Sequence, residues 1–187
     1  MTPDAATVRV KQRALALGFD AVGIAALDPI PHAAALDQWL AAGHAGTMRY
    51  LERQAPLRRV PADILPGARV AVVTLTNYRH AHRAPTPARV AQYAWSTDYH
   101  RVLSPRLERL AAAVREAVPG SETRCYVDAG PVPERELAQR AGLGWIGKNT
   151  MLIDPRRGSF TFLGAVLTDA PLTVSDPFAV DRCGTCR

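Results

Sequence analysis

The sequence predicts an α/β (α+β) fold, a mixed sheet with helices on both faces. Segments with helical periodicity alternate with strand-like segments along the chain. The chain has 187 residues, of which 48% are hydrophobic, so it is long enough to bury one substantial core. The strongest strand signal is RVAVVTLTNY, residues 69–78, a β-branched run that ends near Asn77.

Four elements are predicted before this strand. Helical periodicity that stops at Gly18 and Gly43 favours helices, and loose alternation of apolar residues favours a strand. Proline at three positions makes residues 56–68 a predicted loop. The predicted helices cover residues 4–17, 32–43 and 46–54, and the predicted strand covers residues 19–27.

The second half continues the alternation of helix and strand. Residues 79–89, RHAHRAPTPAR, form a polar loop whose arginines and histidines suit either phosphate contacts or a mobile surface. Ser104 as the cap and Pro105 at the first helical position predict a helix over residues 104–118. The remaining predicted elements are strands over residues 124–130 and 159–169 and a helix over residues 133–141.

The stretch AGLGWIGKNT, residues 141–150, spells G-x-G-x-x-G followed by Lys148. A dinucleotide-binding loop of this spelling needs a strand before its glycines. Here the preceding PERELAQRA has the pattern of a helix, and Gly142 fits a helix stop. Two interpretations therefore stay open: a helix stop followed by a structural turn, or small residues that let the backbone approach a ligand closely.

The charge balance bears on partners and location. Lys and Arg outnumber Asp and Glu by 23 to 17, a net charge of +6. That charge favours a polyanion such as nucleic acid, and an arginine-rich solvated surface is the alternative. No apolar stretch reaches the roughly 18–20 residues of a membrane span, and the N-terminus lacks the apolar core of a signal peptide. The sequence therefore predicts a cytoplasmic protein with no membrane partner.

Asp128 directly follows a predicted strand, in RCYVDAG. An aspartate at such a place commonly bonds nearby backbone N–H groups in a turn. Alternatively, a carboxyl group at a strand end faces the ligand crevice and acts as a general acid when burial raises its pKa. Tyr99 and His100 lie in YAWSTDYHRVL, where the aromatic residues favour either a stacking surface or a hydrophobic lid.

Three cysteines fit a reducing compartment. Cys125 lies in a predicted strand and is most simply a small buried hydrophobe. Cys183 and Cys186 form C-G-T-C, which matches the start of a bacterial ferredoxin run and also fits zinc or a redox dithiol. Two thiolates do not complete a four-ligand site, so this chain by itself is expected to hold no complete cluster.

Several stretches together resemble one family, epoxyqueuosine reductase, a cobalamin-dependent iron–sulfur enzyme of tRNA modification. The resemblance covers nearly the whole chain, and the block from Tyr126 to Ile153 is its most specific part. The stretches that carry it are GFDAVGIA, GTMRYLERQ, RRVPADILPGARVAVV, YAWSTDYHRVL, YVDAGPVPERELAQRAGLGWIGKNTMLI, GSFTFLGAVLTD and DRCGTCR.

The resemblance implies reduction of epoxyqueuosine to queuosine at the wobble position of tRNA, the last step of queuosine biosynthesis. It implies a cobalamin-binding catalytic domain over residues 1–178, with a fold resembling reductive dehalogenases and nitroreductases. Residues 179–187 are then the start of a ferredoxin-like domain with [4Fe–4S] clusters, supplied by an external electron donor. The expected partner is a tRNA with a queuosine-type anticodon.

The same resemblance implies roles for individual residues. Asp128 is expected to be the catalytic acid, with Tyr99 and His100 lining the active site. Cys183 and Cys186 are expected to be the first two ligands of a [4Fe–4S] cluster. The residues expected to contact the corrinoid are Arg59, Arg135, Lys148, Asn149, Thr150, Met151 and Ser159.

The chain departs from the family after Cys186, where the remaining cluster cysteines do not follow. It is therefore expected to be a truncated form that binds cobalamin but needs the missing domain to reduce epoxyqueuosine. The alternatives are another corrinoid-dependent reductase of the dehalogenase type, an inactive fragment that binds corrinoid or RNA, and a flavin-binding reductase.

Overall fold

The computed structural model describes residues 2–81 and 90–185. Five helices of this part are α1 (Pro3–Ala16), α2 (Ala33–Ala41), α3 (Arg49–Arg59), α4 (Tyr99–Ala117) and α5 (Glu134–Arg140). Its strands are β1 (Ala21–Ala26), β2 (Val70–Asn77), β3 (Thr123–Tyr126), β4 (Trp145–Ile146), β5 (Leu152–Ile153) and β6 (Thr161–Thr168). Short 3-10 turns cover Pro61–Ile64 and Gln92–Ala94.

Four strands form the main sheet in the order β1-β2-β6-β3, and β4 and β5 form a separate two-stranded hairpin. Every pair of neighbours in the main sheet is antiparallel, with Val72 opposite Val166 at its centre. The prediction of a mixed sheet was therefore wrong about strand direction. An alternation of helices and strands does not specify whether neighbouring strands run parallel or antiparallel. That depends on whether the segment that connects two strands leads to the same end of the sheet or to the opposite end.

Helices cover both faces of this sheet, as predicted. Because successive strand residues point to opposite faces, Val72 and Val166 pack under α1 and α4, whereas Val73 and Leu167 pack under α5. Cys125 is half-buried beside the first of these clusters, where burial raises the pKa of its thiol to about 12. The interpretation of Cys125 as a small buried hydrophobe is therefore confirmed only in part, because the side chain packs on the core but is half-buried.

Two predicted boundaries were wrong at prolines. Helix α3 continues through Pro56 to Arg59, inside the predicted loop, because its buried Ala55 and the adjoining Leu57 pack on the core. Helix α4 begins at Tyr99 rather than after Ser104, and its cap is Asp98, which accepts the backbone N–H of His100 at 3.0 Å. Pro105 therefore lies inside α4 rather than at its first position. Tertiary burial outweighs local helix-breaking tendency at both places.

The C-terminal end of α5 packs directly on strand β1. A Cβ atom placed on Gly23 would lie 2.0 Å from the Ala141 carbonyl oxygen, so only glycine permits this approach. The position of α5 on the sheet therefore depends on the missing side chain at Gly23. None of the helices in the described part of the chain is long and apolar enough to cross a membrane.

Candidate active site

Asp128 lies in a tight turn just after β3. The Ala129 N–H bonds back to the Val127 carbonyl at 2.5 Å, which makes Asp128 the central residue of a three-residue turn. Its φ is +53°, in the left-handed region that non-glycine residues seldom adopt. Gly130 follows with a φ of 129°, and a Cβ there would meet the Tyr126 ring at 2.5 Å. The sequence RCYVDAG thus builds a strained turn that presents the Asp128 carboxyl group.

Tyr99, the first residue of α4, donates its hydroxyl to Asp128 Oδ2 in a very short hydrogen bond. Its ring stacks on Phe162 of β6 at 4.2 Å between centroids and on His100 at 4.1 Å. Burial and the bond to Asp128 raise the pKa of Tyr99 well above its usual range. Tyr99 is therefore a protonated donor to Asp128 throughout the physiological pH range.

Glu134, the first residue of α5, holds the backbone of the same turn. Its Oε1 accepts the Asp128 N–H at 2.7 Å, while Arg58 Nη2 donates to the Gly130 carbonyl at 2.9 Å. Burial raises the pKa of Glu134 to about 7, and the nearby Asp128 charge adds to that rise. The bond from the Asp128 N–H and the charges of Arg58 and Arg135 act in the opposite direction. Glu134 therefore titrates near neutrality.

This raised pKa predicts how stability changes with pH. A carboxyl group whose folded pKa exceeds its unfolded value contributes stability below the unfolded pKa that is lost as pH rises through the folded pKa. For Glu134 the loss falls between the ordinary value of 4.5 and about 7. Glu134→Gln, which keeps the acceptor oxygen, is expected to raise the free energy of unfolding at pH 8 by on the order of 2 kcal/mol. Urea unfolding at pH 4 and pH 8 measures it, and an equal change at both values would contradict the assignment.

Arg135 connects the first turn of α5 to the tip of the β4–β5 hairpin. Its Nη1 donates to the Thr150 carbonyl at 2.5 Å and to Thr150 Oγ1 at 3.4 Å. Thr150 has a φ of +65°, and Asn149 Oδ1 accepts the Met151 N–H at 3.1 Å within the same tip. Lys148, Asn149, Thr150 and Met151 are all exposed. The first turn of α5 thus holds both the Asp128 turn and the hairpin tip.

The glycines before this tip serve contacts within the chain. A Cβ on Gly142 would meet the Asp176 carbonyl at 2.6 Å, and one on Gly144 would meet the Ile153 carbonyl at 2.2 Å. A Cβ on Gly147 would meet Ile153 Cδ1 at 2.5 Å. Gly142 ends α5 with a φ of +78°, as the helix-stop interpretation predicted. Close packing within the chain therefore requires glycine at these positions.

The sulfur of Cys183 lies against the same hairpin. It accepts hydrogen bonds from Trp145 Nε1 and from the Lys148 backbone N–H, both at 3.4 Å. Lys148 Nζ also donates to the Gly184 carbonyl at 3.1 Å. Cys186 lies outside the described residues, and within residues 2–81 and 90–185 no three His, Cys, Asp or Glu side chains are grouped to hold a metal ion.

Other candidate residues lie in different surroundings. Arg59 belongs to the α2–α3 pair, where its Nε donates to Asp37 Oδ1 at 2.8 Å. Ser159 is half-buried between Gly158, which pairs with Asp154, and Phe160. His100 stacks on Tyr99 and pairs through Nδ1 with Asp98 at 2.8 Å. Of the predicted residues, Asp128, Tyr99 and His100 therefore contact one another in sequence. Arg135 and Thr150 contact each other and are connected to the Asp128 turn through α5.

Residues that sequence reasoning missed complete this arrangement. Glu134 and Arg58 hold the turn, and Phe162 and Tyr78 form the aromatic floor beside Tyr99, with ring centroids 4.4 Å apart. These aromatic side chains line an open pocket of about 240 Å³ between the ends of β2 and β6 and the start of α4. The sequence does show a carboxyl group six residues after Asp128, at Glu134. Whether that side chain faces the Asp128 turn depends on where α5 begins.

Comparison with known proteins finds similarity to one family. Residues 58–129 match the family model described as "Epoxyqueuosine reductase QueG, DUF1730". The chain is 45% identical over 190 residues to the epoxyqueuosine reductase of Gloeobacter violaceus, covering 100% of this chain and 58% of that protein. It is 36% identical over 185 residues to that of Escherichia coli, covering 95% of this chain and 48% of that protein.

Solved structures agree with this likeness. The epoxyqueuosine reductase of Streptococcus thermophilus superimposes with a TM-score of 0.80 at 25% identity, over 96% of this chain and 50% of that one. An epoxyqueuosine reductase crystallised with an epoxyqueuosine-modified tRNA stem loop gives 0.77 at 25% identity, over 95% of this chain and 48% of that one. A reductive dehalogenase shares the fold, with a TM-score of 0.60 at 22% identity over 97% of this chain and 21% of that one.

The likeness extends along the described fold and includes the residues around Asp128. The chain spans about half the length of the curated relatives that it matches. By sequence and fold together, this chain is similar to the N-terminal part of longer epoxyqueuosine reductases.

Proposed function

We propose that this chain carries the catalytic site of an epoxyqueuosine reductase, which reduces epoxyqueuosine in tRNA to queuosine. The observation that carries the proposal is the Asp128 carboxyl group, held at the end of β3 by Tyr99 through its side chain and by Glu134 through its backbone. Such a carboxyl group, held by Tyr99, which lines the pocket, suits proton donation to a substrate oxygen. The family and the tRNA complex of a relative supply the substrate class.

The chain's own residues account for the proton chemistry. Because Tyr99 donates to Oδ2 of Asp128, we assign Oδ1 as the oxygen that carries the proton to the substrate. Opening an epoxide places negative charge on its oxygen, and a proton from Asp128 neutralises that charge. The Phe162 and Tyr78 rings beside Tyr99 offer flat apolar faces for a planar substrate group.

The residues near this site fit a corrinoid. The exposed hairpin tip includes the apolar Met151, which is 40% exposed. Arg135 of α5 holds this tip through its hydrogen bond to the Thr150 carbonyl. Lys148, Asn149, Thr150 and Met151, with Arg135 and Ser159, would hold the macrocycle. Cobalamin, when bound, supplies the electrons for breaking the carbon–oxygen bond.

The same reasoning extends to the electron supply and the partners. Two N–H donors on the Cys183 sulfur fit a thiolate ligand, because hydrogen bonds to sulfur help to set the potential of an iron–sulfur cluster. We assign Cys183 and Cys186 as the first ligands of a [4Fe–4S] cluster and residues 179–187 as the start of the domain that holds it. An external donor reduces that cluster. The net charge of +6 suits a tRNA partner, and a cytoplasmic location follows from that substrate.

Titration of the purified chain with cob(II)alamin, read by EPR, tests the corrinoid assignment. We expect stoichiometric binding, and Arg135→Ala is expected to weaken it about tenfold because the Thr150 end of the hairpin loses its charged donor. Arg9→Ala is the matched control, since that arginine lies on α1 and pairs with Glu116 of α4. Equal weakening by both substitutions, or no binding by the wild-type chain, would contradict the assignment.

A further inference from the structure

The backbone at Asp128 is held in a costly conformation. A positive φ of +53° at a non-glycine residue, inside a three-residue turn, is a strained arrangement. Such strain persists only where neighbouring groups outweigh it. The contacts around residues 127–130 therefore determine whether the Asp128 side chain stays where Tyr99 meets it.

Three contacts act on this turn, and each comes from a different element. Tyr99 of α4 bonds the Asp128 side chain, and Arg58 of α3 bonds the Gly130 carbonyl. Glu134 of α5 accepts the backbone N–H of Asp128 itself, at 2.7 Å. A carboxylate that accepts a backbone N–H makes one of the stronger hydrogen bonds in proteins.

We propose that Glu134 is a positioning residue for Asp128, whose carboxylate accepts the Asp128 peptide N–H and so keeps the turn in the conformation that presents the Asp128 side chain. The inference rests on the proposed function only for the role of Asp128. The contact between the two residues stands apart from that role.

The charges around Glu134 make this contact dependent on pH. Arg58 of α3 and Arg135 of α5 face it with positive charge, and Asp128 and the Tyr99 hydroxyl face it from the turn and from α4. Burial raises the pKa of Glu134 to about 7. Ionisation above that pH strengthens the acceptor, so the turn is held more firmly on the alkaline side of neutrality.

The experiment follows the Asp128 amide proton by ¹⁵N NMR, between pH 5.5 and pH 8.5 on the intact chain. In the wild type we expect a downfield shift of this proton with an apparent midpoint near 7, as Glu134 ionises. In Glu134→Gln the oxygen remains but cannot ionise, so the shift is expected to disappear, and below pH 7 the exchange rate is expected to stay within about twofold of wild type. In Glu134→Ala exchange is expected to become about tenfold faster.

Glu136→Ala is the matched control, because Glu136 lies on the same helix but pairs with Arg140 and His32. It is expected to leave both readings unchanged. A wild-type amide that does not titrate, or an Asp128 exchange rate in folded Glu134→Ala equal to that of the wild type, overturns the proposal. If the alanine variant does not fold, the titration in Glu134→Gln decides. Neither the chemical shift nor the exchange rate depends on turnover. A finding that Asp128 has no role in catalysis would therefore refute the proposed function and leave these two results unchanged.

Discussion

Asp128→Asn is expected to lower the rate of epoxyqueuosine reduction by about 10²- to 10⁴-fold, the range that a positioned general acid supplies. Asparagine has nearly the same shape, and its amide oxygen still accepts the Tyr99 hydroxyl that now bonds Oδ2. It has no acidic proton to give to the epoxide oxygen. The loss should therefore fall on kcat, with KM for the tRNA little changed, because the contact matters in the transition state.

The measurement needs the protein loaded with cobalamin and supplied with electrons from iron–sulfur clusters. Queuosine in the treated tRNA is then quantified by mass spectrometry of its nucleosides. Asp37→Asn is the matched control, because Asp37 pairs with Arg59 on the α2–α3 pair. An Asp128→Asn enzyme within about threefold of wild type would favour the interpretation of Asp128 as a turn residue only.

Gly23→Ala is expected to destabilise the fold by about 3 kcal/mol or more, at the upper end of overpacking costs. The new Cβ would lie 2.0 Å from the Ala141 carbonyl oxygen, a backbone atom at the end of α5. Relief requires α5 to move away from β1, and α5 carries both Glu134 and Arg135. Binding of cob(II)alamin should weaken together with stability, since the hairpin tip follows Arg135.

Gly164→Ala is the variant to compare with Gly23→Ala, because its new Cβ would clash with side chains rather than with a backbone atom. Its new Cβ would meet Leu107 Cδ1 and Thr74 Oγ1 at 2.9 Å. These are side-chain atoms rather than backbone atoms, so the expected cost is smaller, about 1 kcal/mol. Urea denaturation of the two variants measures the difference. Equal costs would mean that the approach of α5 to β1 is not a rigid constraint.

Glu134 illustrates a conflict between stability and function in this fold. Its ionised carboxylate costs folding free energy because it is half-buried, yet the same carboxylate holds the Asp128 peptide. Sites of this kind commonly retain groups that stability alone would remove. The expected gain in stability of Glu134→Gln above pH 7 and its lost titration at the Asp128 amide are two consequences of one contact.

Much of the fold was predictable because local patterns carry it. The β-branched run in β2 and the amphipathic pattern of α1 correspond to the observed elements within a few residues. The failures were at Pro56 and Pro105, where a local rule predicts a helix boundary and burial of neighbouring side chains carries the helix onward. Local propensity is weak beside the burial of several apolar residues.

By itself, the sequence determined the α/β class, the helix stop at Gly142, the family resemblance and the choice of Asp128 as the candidate acid. Only the tertiary structure decided that the sheet is antiparallel, that Arg135 joins the hairpin tip while Arg59 pairs with Asp37, and that Glu134 bonds the Asp128 peptide. The reason is physical. Local periodicity records which residues are buried, whereas contacts among α3, α4, α5 and the turn after β3 depend on how separate elements pack across the two faces of one sheet.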